Sequence, residues 1–208
     1  IASCLVGSEM CIRDRNETNL MQRVVLVRHN SYLFKGTVEE NLKMAKPDAT
    51  KEEMEAVLQK VNLLGFLQTQ DGLQTQLLEK ASNLSGGQCQ RLVIARALLR
   101  TDSAVYIFDE AASNIDVESE ELIMNVIHEL AKTKTVLLIS HRLANVVKSD
   151  KIYFLKDGEI KESGKHDELM SRNGAYRHLY ESQMALENYG KGGVAVSYTH
   201  LRAHETRG

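Results

Sequence analysis

The sequence predicts an α/β fold: a mainly parallel sheet with a helical subdomain and a C-terminal β-hairpin and helices. Three observations predict it. Short β-branched and apolar runs at Arg23 to His29, Val105 to Phe108 and Val136 to Ile139 read as buried strands. The stretches between them carry apolar residues at helical spacing behind recognisable N-caps. Towards the C-terminus, Lys156-Asp157-Gly158 separates two further strand-like segments and suits a tight turn that needs positive φ.

Arg23 to His29 is the first strand, and a loop follows it. Thr37 with Glu40, and Thr50 with Glu53, each place a hydroxyl at an N-cap and a carboxylate three residues on, so a short helix begins at each, with Pro47 and Asp48 between them. Val57, Leu58, Val61, Leu64 and Leu67 carry a compact helical region on to Gly72. Ser85 with Gln88 repeats the capping pattern and heads a helix through Leu92, Ala95 and Leu99 that ends near Thr101. Val105 to Phe108 is the second strand. Asp116 caps a helix whose Leu122, Ile123, Val126, Ile127 and Leu130 form one apolar stripe, with Glu118, Glu120 and Glu121 at its positive end. Val136 to Ile139 is the third strand. Lys151 to Leu155 and Glu159 to Glu162 form the hairpin, and charged helices from His166 to Glu187 close the domain.

With 208 residues, 43% of them hydrophobic and 26% charged, the chain is long and apolar enough to bury a core. A formal charge of -2 offers no basic footprint for nucleic acid, which is not expected as a partner. The clean apolar runs fall far short of the ~20 residues a membrane helix requires. Three cysteines without C-x-x-C spacing exclude a disulfide framework and a zinc ribbon.

The two ends stand apart. Ala2 to Asp14 and Val196 to Gly208 can be encoded by opposite strands of one DNA segment. ATG for Met10 reverse-complements to CAT for His200, TGT for Cys11 to ACA for Thr199, and ATA for Ile12 to TAT for Tyr198; all thirteen codons agree. Residues 1–14 and 196–208 therefore read as adapter-like, non-native segments, in which Cys4, Cys11, His200 and His204 are expected to carry no function. The gene is expected to continue past both. Residues 15–195 then hold the domain, divided into a helical part at about 37–101 and a second part at 102–195.

Chemistry gathers at three places. In Asn83-Leu84-Ser85-Gly86-Gly87-Gln88, two glycines expose backbone N–H groups at a helix N-terminus beside a capping hydroxyl, an arrangement suited to a phosphate. Alone, the run fits an ordinary capped turn as well. Val105 to Glu110 is an apolar strand ending in two adjacent carboxylates, Asp109 and Glu110, at the sheet edge where α/β proteins bind ligands. One carboxylate can hold Mg²⁺ through water while the other orients a nucleophilic water; a strand that merely ends in a charged turn is the plainer reading. The third strand ends in Ser140-His141, where an imidazole could serve a terminal phosphate, although a single histidine is more often structural.

In this order, these features resemble the nucleotide-binding domain of ABC transporters over nearly all of residues 15–195. Leu84 to Gln88 is similar to the LSGGQ signature, Val105 to Glu110 to Walker B with its catalytic glutamate, Ser113 to Asp116 to the D-loop, and His141 to the switch histidine. The resemblance implies a partial, P-loop NTPase-like ABC ATPase domain with ATP and Mg²⁺ as cofactors. It further implies a head-to-tail dimer with a second nucleotide-binding domain, in which Ser85, Gly86, Gly87 and Gln88 of one chain face the γ-phosphate held by the other. Asp109 would bind Mg²⁺ through water, Glu110 would polarise the attacking water, His141 would touch the γ-phosphate, and Asp116 would link the two sites. Leu33-Phe34-x-Gly36-Thr37-Val38-x-x-Asn41 resembles the segment that exporter-type members set against their transmembrane domain, and Thr75 to Glu79 the place of a second contact loop. An exporter ATPase on the cytoplasmic face of the plasma membrane is the resulting expectation.

The chain departs from the family pattern in three ways. His29 stands where the family carries a glutamine that helps hold Mg²⁺ and water; histidine can donate or accept there. Asn114-Ile115 replaces the common Ala-Leu of the D-loop. No G-x-x-x-x-G-K-[ST] loop occurs in the chain, so the lysine and backbone nest for the β- and γ-phosphates are missing and the 208-residue polypeptide is expected to be inactive and prone to aggregate at open sheet edges. Chromosome-maintenance and translation-factor ATPases share the signature, but they carry long coiled coils or charged linkers that this sequence does not have. An inactive regulatory cassette fits poorly with the presence of both Glu110 and His141. Cys89 reads as a packed or surface thiol, Tyr32, Phe34 and Phe66 as core or interface, and His128, His166 and His178 as solvated.

Overall fold

The computed structural model describes residues 23–191, so both adapter-like stretches lie outside the described residues. The chain divides into two compact units at His141/Arg142.

The first unit runs β1 (Val24–Arg28), β2 (Gly36–Thr37), α1 (Val38–Lys43), α2 (Lys51–Lys60), α3 (Leu64–Gln68), β3 (Gln76–Leu77), α4 (Gly86–Leu98), β4 (Val105–Asp109), α5 (Val117–Ala131) and β5 (Thr135–Ile139). All four N-caps fall where the sequence places them. Thr37 Oγ1 accepts from the Glu40 N–H at 3.0 Å and Glu40 returns the bond to the Thr37 N–H at 2.7 Å. Thr50 with Glu53 and Ser85 with Gln88 repeat the reciprocal pair, and Asp116 Oδ1 accepts from the Ser119 N–H at 2.8 Å. Each such cap is worth about 1 kcal/mol.

The helical region to Gly72 is broken where no sequence period shows it. Asn62 takes φ 51; its N–H donates to Gln59 O, and the Leu63 N–H reaches back to Leu58 O at 2.9 Å. That pair of bonds is a Schellman C-cap, and the Leu58 and Leu63 that flank it are both buried. Helix α4 stops at Leu98 rather than near Thr101, because the ladder tightens there: the Arg100 N–H donates to Ala97 O at 3.1 Å and the Thr101 N–H to Leu99 O at 2.9 Å. The β2–β3 pair, two residues on each side, replaces part of the expected loop.

Strands β1, β4 and β5 form a parallel sheet in the order β1-β4-β5, with Arg28 opposite Asp109 and Asp109 opposite Ile139. Alternation sends Val25, Val27, Tyr106 and Phe108 into a core shared with Leu92, Val93, Ile123 and Ile127 of α4 and α5. On the opposite face Leu26, Leu137 and Ile139 are exposed, although parallel sheets are characteristically covered on both sides.

The second unit holds β6 (Ile152–Lys156), β7 (Glu159–Gly164), α6 (His166–Ser171) and α7 (Ala175–Lys191). The hairpin turns on Asp157 (φ 53) and Gly158 (φ 76), both left-handed as the sequence requires. Gly174 precedes α7 and has no side chain to cap it; Glu162 from β7 supplies the cap, accepting from the Tyr176 N–H at 3.0 Å. His166 is half-buried rather than solvated: its Nδ1 lies 2.8 Å from the Tyr176 hydroxyl and its ring packs against Tyr180. Burial first, and Tyr180 second, push the Tyr176 phenol up to about 12. His128 on α5 is also half-buried, whereas His178 is exposed as expected.

Candidate active site

The parallel register brings three strand ends to one edge. The His29 N–H donates to Asp109 O at 3.2 Å and the Glu110 N–H to Ile139 O at 3.0 Å, extending both ladders by one residue. Glu110 then leaves the strand at φ 51. For a glutamate this left-handed conformation costs on the order of 1–2 kcal/mol. It is held because the Glu110 carbonyl accepts from both the Ser113 N–H (3.0 Å) and the Ser113 hydroxyl (2.9 Å). The kink re-aims the side chain, and Glu110 Oε1 meets His141 Nδ1 at 3.2 Å across 31 residues of sequence. A hydrogen bond from Nδ1 to a carboxylate requires Nδ1 to carry the proton. His29, Asp109, Glu110 and His141 thus share one sheet edge, His29 with an exposed side chain.

Among the described residues no group of three or more His, Cys, Asp or Glu could hold a metal unaided. Mg²⁺ is ordinarily bound through one or two carboxylates together with phosphate oxygens and water, a pattern that the Asp109–Glu110 strand end fits.

The signature residues form a second grouping. Ser85 and Gly86 are exposed and Gly87 is buried. The Ser85 oxygen accepts from the Gln88 N–H and Gln88 Oε1 accepts from the Ser85 N–H, so the hydroxyl proton is available to an outside acceptor. The first N–H groups of α4, on Gly86 and Gly87, have no acceptor within the helix. Gln88 serves the cap through its Oε1, which leaves its amide nitrogen for other partners.

Four residues shape these groupings, and only Asn83 among them lies in a run singled out from sequence. Gln90, buried on α4, donates to Arg28 O at 3.4 Å and ties the signature helix to the turn bearing His29. Arg91 donates to Gly87 O at 3.3 Å and to Asn62 O at 3.0 Å. Asn83 accepts from the Leu78 N–H and donates to Gln76 O, fastening the Thr75 to Glu79 segment beside the signature. Ser119 pairs with Asp116. A fifth, Asn41, does belong to a motif read from sequence: it is 1% exposed and brackets Phe34, accepting from its N–H at 2.8 Å and donating to its carbonyl at 2.9 Å. Phe34 is thereby held outward, edge-on to Tyr32 at 4.8 Å between ring centroids, beside a groove of about 310 Å³ lined by Met44, Val93, Arg96 and Arg100. Phe66 packs on the core. Cys89 lies against Ala81 O and Leu84 O, and burial pushes its thiol up, as suits a packed rather than a redox cysteine.

The Ser119 N–H, with its hydroxyl, holds the Asp116 carboxyl below the usual range. A folded-state value below the unfolded one stabilises fully above about pH 3.9 and is lost as pH falls through the lower folded value. Asp116→Asn keeps an oxygen cap without the charge. It is expected to make the acid limb of Tm against pH shallower below about pH 4; an unchanged limb contradicts the assignment.

A family model described as ABC transporter matches residues 6–113. The chain belongs to the ABC transporter family. An ABC transporter ATP-binding protein of Haemophilus influenzae is 52% identical over 172 residues, covering 83% of this chain and 30% of the relative. The ATP-dependent lipid A-core flippase of Vibrio cholerae is 41% identical over 182 residues, covering 86% and 31%. The structure of a bacterial Atm1-family ABC exporter with ATP bound superposes with a TM-score of 0.75 at 28% identity, covering 89% of this chain and 30% of that one. This ABC chain therefore spans about 30% of the length of the relatives it matches.

Proposed function

We propose that this chain is the ATP-hydrolysing domain of an ABC exporter, with Asp109, Glu110 and His141 serving the terminal phosphoryl group and Ser85 to Gly87 serving the same group on a partner domain. The observation that carries the proposal is the kinked Glu110, held in a strained backbone and hydrogen-bonded to His141 at the carboxyl end of a parallel strand. Such strain at a sheet edge is characteristic of working residues.

Glu110 is the proton acceptor for the attacking water, and His141 orients it. A neutral imidazole donating from Nδ1 has only a lone pair at Nε2. For His141 to donate to a phosphate oxygen it must become the imidazolium or release Glu110, so the pair couples proton acceptance to phosphate contact. Mg²⁺, when bound through Asp109, supplies positive charge against the phosphate oxygens. The hydroxyl of Ser85 and the N–H groups of Gly86 and Gly87 donate to the partner's terminal phosphate, and Asp116, capping α5 at the D-loop, stands beside them. His29 lines the Asp109 edge in place of glutamine.

The outward Tyr32–Phe34 pair and its groove support docking against a transmembrane domain, and relatives named as a flippase and an exporter support outward transport. Among the described residues no helix is long and apolar enough to cross a membrane; the proposed place is the cytoplasmic face, held by that partner. Purified full-length protein is expected to hydrolyse ATP with Mg²⁺, and the 208-residue polypeptide, without a G-x-x-x-x-G-K-[ST] loop, to show no turnover above background. Glu110-dependent turnover by the 208-residue polypeptide would overturn the second half, and an inert full-length protein the first.

A further inference from the structure

We propose that Ser119 is a positioning residue: through direct contact with Gly87 it makes the signature turn and the first turn of the D-loop helix move as one body. The inference rests on the proposed phosphate role of the signature only for its functional consequence; the contact stands on geometry alone. A Cβ placed on Gly87 would lie 2.3 Å from Ser119 Oγ, 2.9 Å from Ser119 Cβ and 3.0 Å from Asp116 Oδ2. The hydroxyl could rotate away, but Ser119 Cβ could not. Gly87 is therefore a glycine because α5 approaches it, whatever a nucleotide requires on the other side.

Both partners are clamped. Ser119 is 5% exposed, and Asp116 accepts from its backbone N–H at 2.8 Å. Gly87 is gripped from its own helix by Arg91, which donates to the Gly87 carbonyl and, at its other end, to Asn62 at the C-terminus of α2. No room for a side chain remains between the two first turns. A shift of Asp116 and Ser119 must carry Gly87 with it, and with Gly87 the Gly86 N–H and the Ser85 hydroxyl. Two elements that face the dimer partner are thus coupled inside one chain.

The test is a suppressor pair in the full-length protein, read by hydrogen exchange of residues 117–120 without nucleotide. Gly87→Ala is expected to raise exchange there about tenfold by wedging the helices apart. Ser119→Gly opens the space the new methyl needs, so Gly87→Ala with Ser119→Gly is expected to return to within about threefold of Ser119→Gly alone. If Gly87→Ala does not fold, recovery of folded protein by the second substitution reports the same contact. Unchanged exchange in Gly87→Ala, or a double variant no better than the single, overturns the proposal. ATP turnover separates the two readings: restored exchange with restored turnover supports both, whereas exchange that follows the pair while turnover ignores all three variants keeps the contact and removes the phosphate role of the signature.

Discussion

Glu110→Gln in the full-length protein is expected to lower ATP turnover by about 10²- to 10⁴-fold, the range lost with a general base. Binding of ATP should change by less than about threefold. The substitution is isosteric, so its amide oxygen still accepts from His141 Nδ1, now at 3.2 Å from the carboxylate, and the backbone at φ 51 stays held by Ser113 and Ile139. Only the capacity to take a proton from water disappears. Steady-state phosphate release beside equilibrium nucleotide binding reads the two effects separately. Equal loss of both would make Glu110 a structural residue, and unaltered turnover would remove it from the chemistry.

The largest stability effect is expected at the strand that delivers this carboxylate. Phe108 is 0% exposed and lies almost parallel to Tyr106, 6.5 Å between ring centroids, in the core under α4 and α5. Phe108→Ala removes that ring from a space its neighbours cannot refill and is expected to cost about 3–5 kcal/mol, a Tm fall on the order of 10 °C for a domain of this size. Leu137→Ala, on the opposite face of the same sheet where the side chain is 49% exposed, is expected to cost about 1 kcal/mol. Thermal melts of the two variants beside the parent measure the contrast. Similar losses would mean that both faces of the sheet are buried in solution.

What the sequence disclosed, and what it withheld, follows the range of the interactions involved. Caps at Thr37, Thr50, Ser85 and Asp116 were legible because donor and acceptor lie three residues apart. The Asp157-Gly158 turn was legible because positive φ selects its residues. Asn62 was not, since asparagine is only one of several tolerable residues at a left-handed C-cap. The order β1-β4-β5 is likewise absent from local pattern, because β1 and β4 are separated by four α-helices and β4 and β5 by one. Asp109, Glu110 and His141 could be named from strand ends, but the Glu110–His141 bond needed both the kink at Glu110 and the parallel pairing that brings the end of β5 beside it. Gln90, Arg91 and Ser119 were silent for the same reason: their partners, Arg28, Asn62 and Gly87, are brought near by helix packing. His166 was misread as solvated because its tyrosine neighbours sit 10 and 14 residues away on another helix.

The structure of the full-length Glu110→Gln protein with ATP and Mg²⁺ decides the matter most directly. Two chains are expected head to tail, the Ser85 hydroxyl of each donating to the terminal phosphate that lies against residue 110 and His141 of the other. A nucleotide bound away from residue 110 and His141, or signature turns that face no phosphate, would contradict the account.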